Sequence, residues 1–329
     1  MSGLTRPGLS CGASELENLM LIKVLGAAAG GGFPQWNCNG RMSARVRKGD
    51  PGLKPRTQSS LAVCSNGRDW VLLNASPDLR QQINDTPELW PAADGPLRNS
   101  PIKAVVLTNG DVDHIIGLIN LREGQPFSLY ASERVMATVN ANSVFNVLNP
   151  EKVSRITLEM EQPTPLSGAG ADIGLTVEAF DVPGKVALYL EDASKGQSFG
   201  TEKGDTIGLK VTDTANGKSF YYIPGCAAVD APLAERLKGA DLVMFDGTLY
   251  TDDEMVVQGL MPKTGARMGH ISMSGTDGSV AAIESLDVAR KIFVHINNSN
   301  PALDDNSPER KAVEKAGWEV GYDGMEIRL

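Results

Sequence analysis

The chain passes twice through one succession of patterns, and no Pro/Ser-rich linker separates the two passes. Each pass opens on antiparallel strands and goes on to alternate strand with helix. In the first, runs 59–65 and 70–73 flank Asn66-Gly67, a pair that favours the tight turn of a hairpin. Asn74-Ala-Ser-Pro-Asp78 ends the second strand, and Pro77 suits the first turn of a helix through Ile83. Run 103–107 reads as a buried strand, 108–114 as its loop, and 115–122 as a helix. In the second pass, 175–180, 186–190, 206–211 and 219–223 read as strands, the last two joined at Asn216-Gly217. A helix over 230–237, a strand over 242–245 ending at Asp246-Gly247, a helix over 277–286 and a strand over 291–294 follow. Ser307 N-caps a last helix, and 318–329 reads as a closing hairpin. Such a chain is expected to place two sheets face to face with helices outside, as one domain over 20–329 after a disordered leader over 1–19.

Composition narrows the partners. With 31 basic and 40 acidic residues the net charge is −9, so the chain is not drawn to phosphate backbones, and 5% aromatics is thin for stacking on bases. The longest apolar run, 19–29, is too short to span a membrane and contains Lys23. Arg6 followed by that run and Ala27-Ala-Ala29 imitates a secretory signal, but Lys23 interrupts it and glycines follow, so a leader before a first strand at 21–25 is the better reading. Met20 is a candidate alternative start. Cys11, Cys38, Cys64 and Cys226 form no Cys-x-x-Cys pair, which fits reduced thiols and a cytoplasmic protein.

The first strand runs into Gly26–Gly32, which lacks the Lys-Ser/Thr of a phosphate loop and reads as a tight turn beside a site. The sharper signal is scarcity. There are three histidines, and all three lie at ends of predicted strands or in loops: His114 closes the loop after 103–107, His270 precedes a helix, and His295 directly follows 291–294. Sites gather at such places in layered α/β proteins. Asp111 and Asp113 sit beside His114, where a curled backbone could turn both carboxylates and the imidazole onto a cation. The alternative reading of the same residues is an Asx-turn capping the helix that follows. Asp246, just past another strand, is a further acidic candidate.

Thr108-Asn-Gly-Asp-Val-Asp-His-Ile-Ile-Gly117 resembles a degraded His-x-His-x-Asp-His-x-x-Gly motif of the metallo-β-lactamase superfamily, with Asn109 and Asp111 at the first two histidine positions. His295 resembles the last metal histidine, Gly225-Cys226 falls where a bridging Asp stands, and Lys185 lies near another histidine position. Longer matches are Ala28-Ala-Gly-Gly-Gly-Phe-Pro-Gln-Trp-Asn-Cys38, Arg56-Thr-Gln-Ser-Ser60, Leu73-Asn-Ala-Ser-Pro-Asp78, Leu121-Arg-Glu-Gly124, Val186–Glu191, Asp246-Gly-Thr248, Met268-Gly-His270, His295-Ile-Asn-Asn298 and Tyr322-Asp-Gly-Met325. On these the chain from about Met20 onward resembles the pyrroloquinoline quinone (PQQ) biosynthesis protein B family.

The resemblance implies an α/β, four-layer αββα sandwich of two mixed sheets with helices outside. It implies a role in making PQQ from a Glu–Tyr pair of a precursor peptide, as an iron-dependent hydroxylase of the tyrosine-derived ring. A carrier that moves the quinone or its precursor to the periplasm is the alternative, and a mononuclear zinc hydrolase of a peptide precursor a second. Many family members carry Cys-Asn-Cys-x-x-Cys where this chain has only Cys38, with Gly40 and Ser43, so no structural cysteine zinc is expected. Arg41, Arg45, Arg47 and Lys48 then read as a solvated or substrate-covering loop.

Three histidines are too few for a histidine-rich pair of zinc ions. They suffice for one divalent metal on His114, His295 and Asp113, with Asp111 or Asp246 in or behind the ligand set. Fe(II) is favoured, and Zn(II) is also compatible with the spacing. His270 is the expected acid/base, with Asp246 beside it in the catalytic set. Arg56, Arg122 and Asn297 are expected to bind the small Glu–Tyr-derived precursor. Cys226 reads as buried and inert, and a homodimer is compatible with the chain.

Overall fold

The computed structural model describes residues 19–329, so all of the expected leader except Leu19, and Cys11 with it, lies outside the described residues. The first sheet holds β1 (Leu21–Gly26), β2 (Ser60–Cys64), β3 (Trp70–Leu73), β4 (Ile102–Val106), β5 (Phe127–Ala131) and β6 (Val153–Thr157). The second holds β7 (Pro163–Gly168), β8 (Ala171–Asp181), β9 (Ile207–Asp213), β10 (Ser219–Ile223), β11 (Leu242–Asp246), β12 (Arg290–Val294) and β13 (Trp318–Val320). β14 (Glu326–Arg328) returns to the first sheet. The strand orders are β14-β1-β2-β3-β4-β5-β6 and β13-β12-β11-β10-β9-β8-β7. In both sheets an antiparallel half gives way to a parallel half, at β3 in the first and at β10 in the second. The doubled pattern of the sequence is thus a doubled topology.

Apolar residues on both faces of the strands make the layers. Val24, Leu61, Leu73 and Val106 of the first sheet share an interior core with Leu175, Leu209, Tyr222, Met244 and Val294 of the second. The opposite faces meet helices: Ala62, Leu72 and Val105 join Val135, Met136 and Val139 of helix Glu133–Ala141. Val243, Phe245 and Phe293 join Leu233 and Leu237 of helix Ala231–Leu237 and Val313 of helix Pro308–Lys315. Burial on both faces explains why these strands read as continuous apolar runs rather than alternating ones. Ser132, Asp230 and Ser307 cap the three helices, each accepting from the backbone N–H three residues on. The four-layer αββα sandwich is therefore the observed fold. Among the described residues no helix is long and apolar enough to cross a membrane.

Several local expectations are corrected. Run 318–329 is not a hairpin: β13 pairs in parallel with β12, whereas β14 pairs with β1 in the other sheet. Asp323, in the turn between them, accepts from the backbone N–H of Ala27 and of Thr57 and fixes that crossing. Run 186–190 is not a strand but ends in a 3₁₀ turn, Leu188–Leu190. Leu188 N–H donates to Asp111 and the Tyr189 hydroxyl to Gly110 O, so the segment is pinned over a loop instead of pairing in a sheet. The helix expected over 115–122 starts earlier, as α-helix Val112–Ile115, and continues as 3₁₀ helix Ile116–Leu121. Pro77 precedes its helix, which spans Leu79–Asp85. The basic stretch after Cys38 is helix Arg41–Arg47, not a loop, and Arg45 is committed to Asp50 and Asp304.

Candidate metal centre

The pocket opens where the carboxyl ends of β4, β11 and β12 converge, from the two sheets together. Asp246 is the last residue of β11 and His295 the first after β12. His295 turns through a left-handed backbone, φ 55°, which takes its side chain out of the strand direction. His114 lies in helix Val112–Ile115, brought in by the loop that leaves β4. Ala29 and Gly30 of the glycine run line the same cavity, of about 280 Å³. A Cβ on Gly30 would stand 3.4 Å from Asp113 Oδ2, in ordinary contact, so the turn runs directly beside the carboxylate.

The three imidazoles form a row with His295 in the middle. Ring centroids are 5.1 Å apart for His114–His295 and 5.2 Å for His270–His295. Their partners fix their tautomers. Asn109 Oδ1 accepts from Asp111 N–H and lies 2.7 Å from His114 Nδ1, so Nδ1 carries the proton and donates. That leaves His114 Nε2 with a bare lone pair, buried and without a partner among the described residues. Asp246 accepts from Thr248 N–H and, at 2.6 Å, from the Thr248 hydroxyl. The hydroxyl has one proton, so towards His295 Nδ1, at 2.8 Å, it must accept. His270 Nδ1 donates to Asp246 Oδ2 at 2.6 Å. Each ring is thereby anchored through Nδ1 and presents Nε2, the arrangement by which neighbouring groups orient imidazole ligands.

His295 Nε2 then faces Asp113 Oδ2 at 3.0 Å, lone pair towards carboxylate. That contact is favourable only with a proton or a cation between or beside the two. Donor atoms of Asp113, His114 and His295 all lie within 4.8 Å of one another, as do those of Asp246, His270 and His295. The first set is the better cradle, because the Asp246 oxygens are already taken by His270, Thr248 and Cys226 N–H.

Electrostatics follow the same division. Burial would raise the Asp113 carboxyl, but the charged forms of His114 and His295 hold it well below the usual carboxylate range. Burial pushes His114 down to about 4, so this ring is neutral and its Nε2 lone pair is available. Burial opposes charge on His270, yet Asp246 outweighs it and raises this histidine. Burial also works against charge on Asp246, which His270 nevertheless holds low. Asp111 is raised, by burial and by the charge of Asp113.

Of the expected site residues, Asp111, Asp113, His114, His270, His295 and Asn297 line one cavity, and Asp246 lies directly behind His270. Arg56 and Arg122 do not line it. Arg56 is 4% exposed and donates to Gly321 O and Lys54 O, which makes it a tie within the scaffold. Arg122 is exposed, donates to Ile119 O and pairs with Glu123. The cation present instead is Lys263, which lines the pocket and forms no ion pair among the described residues. Lys185, also lining it, is bound to Glu191, which in turn binds Arg267. Met255, Met261, Met268 and Leu188 supply an apolar wall. Thr248 and Asn109 orient the rings, a role not expected of them although Asn109 stands at a histidine position of the motif and Thr248 in the matching segment Asp246-Gly-Thr248. Cys226 is buried, and its thiol, pushed up by burial, donates to Ala228 O.

A sequence profile of the beta-lactamase superfamily domain matches residues 69–296. The chain is 52% identical over 315 residues to coenzyme PQQ synthesis protein B of Bradyrhizobium diazoefficiens, across 94% of this chain and 100% of that protein. It is 50% identical over 310 residues to the protein of that name from Xanthomonas oryzae pv. oryzae, with the same coverage. The fold is similar to the crystal structure of a Zn²⁺-bound PqqB from Methylobacterium extorquens, with a TM-score of 0.88 and 48% identity over 94% of this chain and 100% of that one.

Proposed function

The chain belongs to the coenzyme PQQ synthesis protein B family, and on that premise we propose that it acts in PQQ synthesis as an O₂-using hydroxylase with one Fe(II). Its substrate would be the tyrosine-derived ring of a Glu–Tyr precursor. The observation that carries this reading is the bare, buried Nε2 of His114 beside Asp113 and His295. Those three residues would hold the metal: two imidazoles and one carboxylate suit Fe(II) and leave coordination positions open. When bound, iron there supplies the one-electron and O₂ chemistry that no side chain can.

The remaining tasks fall to the chain itself. Asp246 fixes the Nδ1 proton of His270 and favours the charged ring, so His270 Nε2 can deliver or accept a proton at a ring hydroxyl. Three thioethers offer a polarisable wall to an aromatic ring. Lys263 is the cation free to receive a substrate carboxylate, the role expected of Arg56 and Arg122, while Asn297 and Gln35 offer amides to polar substituents.

Oxygen uptake tests the reading. Iron-loaded protein should consume O₂ only when the Glu–Tyr precursor is present, and His114→Ala should take up less iron anaerobically and consume none. Precursor turnover by zinc-loaded protein without O₂ would replace it with a hydrolase. Tight binding of the quinone by metal-free protein, without O₂ consumption by the iron-loaded form, would replace it with a carrier.

A further inference from the structure

Asn297 lines the metal pocket, and its amide is held from behind by a buried chain of hydrogen bonds. Asn297 Nδ2 donates to the Ser299 hydroxyl at 2.5 Å, and that hydroxyl donates to Glu254 Oε1 at 2.6 Å. Glu254 Oε2 accepts from the backbone N–H of Tyr250 at 2.6 Å and of Thr251 at 3.3 Å. Glu254 is 5%, Asn297 7% and Ser299 1% exposed. The chain thus runs from the first residue of helix Glu254–Val257 to the wall of the pocket, through a hydroxyl with one proton to give.

The direction of this chain is set at its far end. Backbone N–H groups cannot reverse, so Glu254 Oε2 stays an acceptor. When the carboxylate is charged, Oε1 accepts as well, and Ser299 spends its proton there. Ser299 can then only accept from Asn297, which turns Nδ2 towards it. When the carboxyl is protonated, the proton sits on Oε1, because two donors already fill Oε2. Oε1 then donates to Ser299, Ser299 donates onward, and Asn297 must accept with Oδ1 and turn Nδ2 away. Little resists the reversal. Asn297 Oδ1 accepts from Asn298 Nδ2 only at 3.4 Å, and that nitrogen has a better acceptor in Gln35 Oε1 at 2.7 Å. Burial, aided by the charge of neighbouring Asp253, brings the Glu254 carboxyl up to about 7, so both directions are populated near neutral pH.

We propose that Glu254, acting through Ser299, sets whether Asn297 offers the metal pocket a hydrogen-bond acceptor or a donor. Glu254 and Ser299 are positioning residues, and Asn297 is the residue that discriminates between ligands. With the carboxylate charged, the amide oxygen favours a ring bearing hydroxyl groups. With the carboxyl protonated, the amide nitrogen favours a ring carbonyl or phenolate. A hydroxylated ring and its quinone differ in this respect. That consequence rests on the reaction proposed above, whereas the switch itself does not.

Nuclear magnetic resonance of the full-length, zinc-loaded protein tests the switch without substrate or O₂. The Asn297 side-chain NH₂ signal, identified by its absence from Asn297→Ser, is followed with the Glu254 carboxyl carbon between about pH 5 and pH 9. The two should move with one midpoint. Ser299→Ala should abolish the Asn297 shift while Glu254 still titrates, which separates the relay from any titration inside the pocket. Glu254→Gln should hold the signal at its low-pH position throughout, because a glutamine there must turn its oxygen to the Tyr250 and Thr251 N–H groups and its nitrogen to Ser299. In steady-state kinetics, KM for the hydroxyl-bearing precursor should be roughly tenfold lower above the midpoint than below it in wild type, the scale of one hydrogen bond, and Glu254→Gln should keep the higher value. An Asn297 signal that stays still while Glu254 titrates would overturn the proposal. So would a Glu254 carboxyl that does not titrate in this range, or a Glu254→Gln signal at the high-pH position. Absence of O₂ uptake with the coupled shifts intact would instead remove the hydroxylase reading and leave the switch standing.

Discussion

Asp113 Oδ2 and His295 Nε2 stand 3.0 Å apart although 182 residues separate them in the chain. One comes from the loops of the first sheet and the other from the end of β12 in the second, so the pocket exists only when both sheets are packed. The Thr248 hydroxyl keeps the His295 proton on Nδ1, and the 3.0 Å contact is therefore a site waiting for positive charge. Fe(II) or Zn(II) should raise the Tm of wild type. Asp113→Asn should keep the fold by circular dichroism and lose at least about tenfold in metal affinity against a competing chelator.

Thr248→Val keeps the shape of the side chain and removes its hydroxyl. Asp246 then loses one donor, and His295 Nδ1 loses the acceptor that orients its ring. Metal affinity should fall about 10- to 100-fold. An unchanged dissociation constant would show that the threonine does not orient the histidine.

Glu254 should give the protein a pH-dependent stability unrelated to the metal. Burial raises its carboxyl to about 7, despite hydrogen bonds from the Ser299 hydroxyl and from the Tyr250 and Thr251 N–H groups. An acid whose folded pKa lies above its unfolded one favours the folded state when protonated. Its contribution is thus complete below the unfolded value of about 4.5 and is lost as pH rises through about 7. The loss amounts to ~3 kcal/mol at most. Urea melts from pH 4.5 to 8 should show it, and Glu254→Gln should flatten that slope relative to wild type.

Two cations should separate binding from scaffolding. Lys263→Met should raise KM for the carboxylated precursor roughly tenfold with kcat little changed, and Lys263→Arg should restore much of it. Arg56→Ala should instead leave KM alone and lower stability by about 2–4 kcal/mol, since it leaves Gly321 O and Lys54 O without the guanidinium that donates to them. Steady-state kinetics and urea midpoints on the same preparations decide between the two roles.

The histidine cluster was legible because each ring sits in a loop or at the end of a predicted strand, and there are no other histidines to dilute the signal. Asp113 was legible through its neighbour His114. The orienting groups were not: Thr248 and Asn109 are single polar residues whose meaning depends on a ring 47 or 5 positions away. Arg56 misled because a buried arginine and a substrate-binding one look alike in sequence. The stretch from 123 to 170 was illegible for local reasons. β6 is largely half-exposed or exposed, and β7 carries Pro163 and Pro165, which a sheet tolerates because β7 is an edge strand. The closing hairpin failed because strand patterning cannot say which sheet receives a strand.

The return of β14 to β1 has a consequence for dissection. The boundary between β6 and β7 invites cutting the molecule into two modules, yet an amino-terminal fragment ending there would lack the strand that covers β1. It would leave Leu21–Lys23 as an open backbone edge, a ready template for intermolecular pairing. Production of that fragment alone should yield aggregates, and co-expression with the remainder should recover soluble, paired chains.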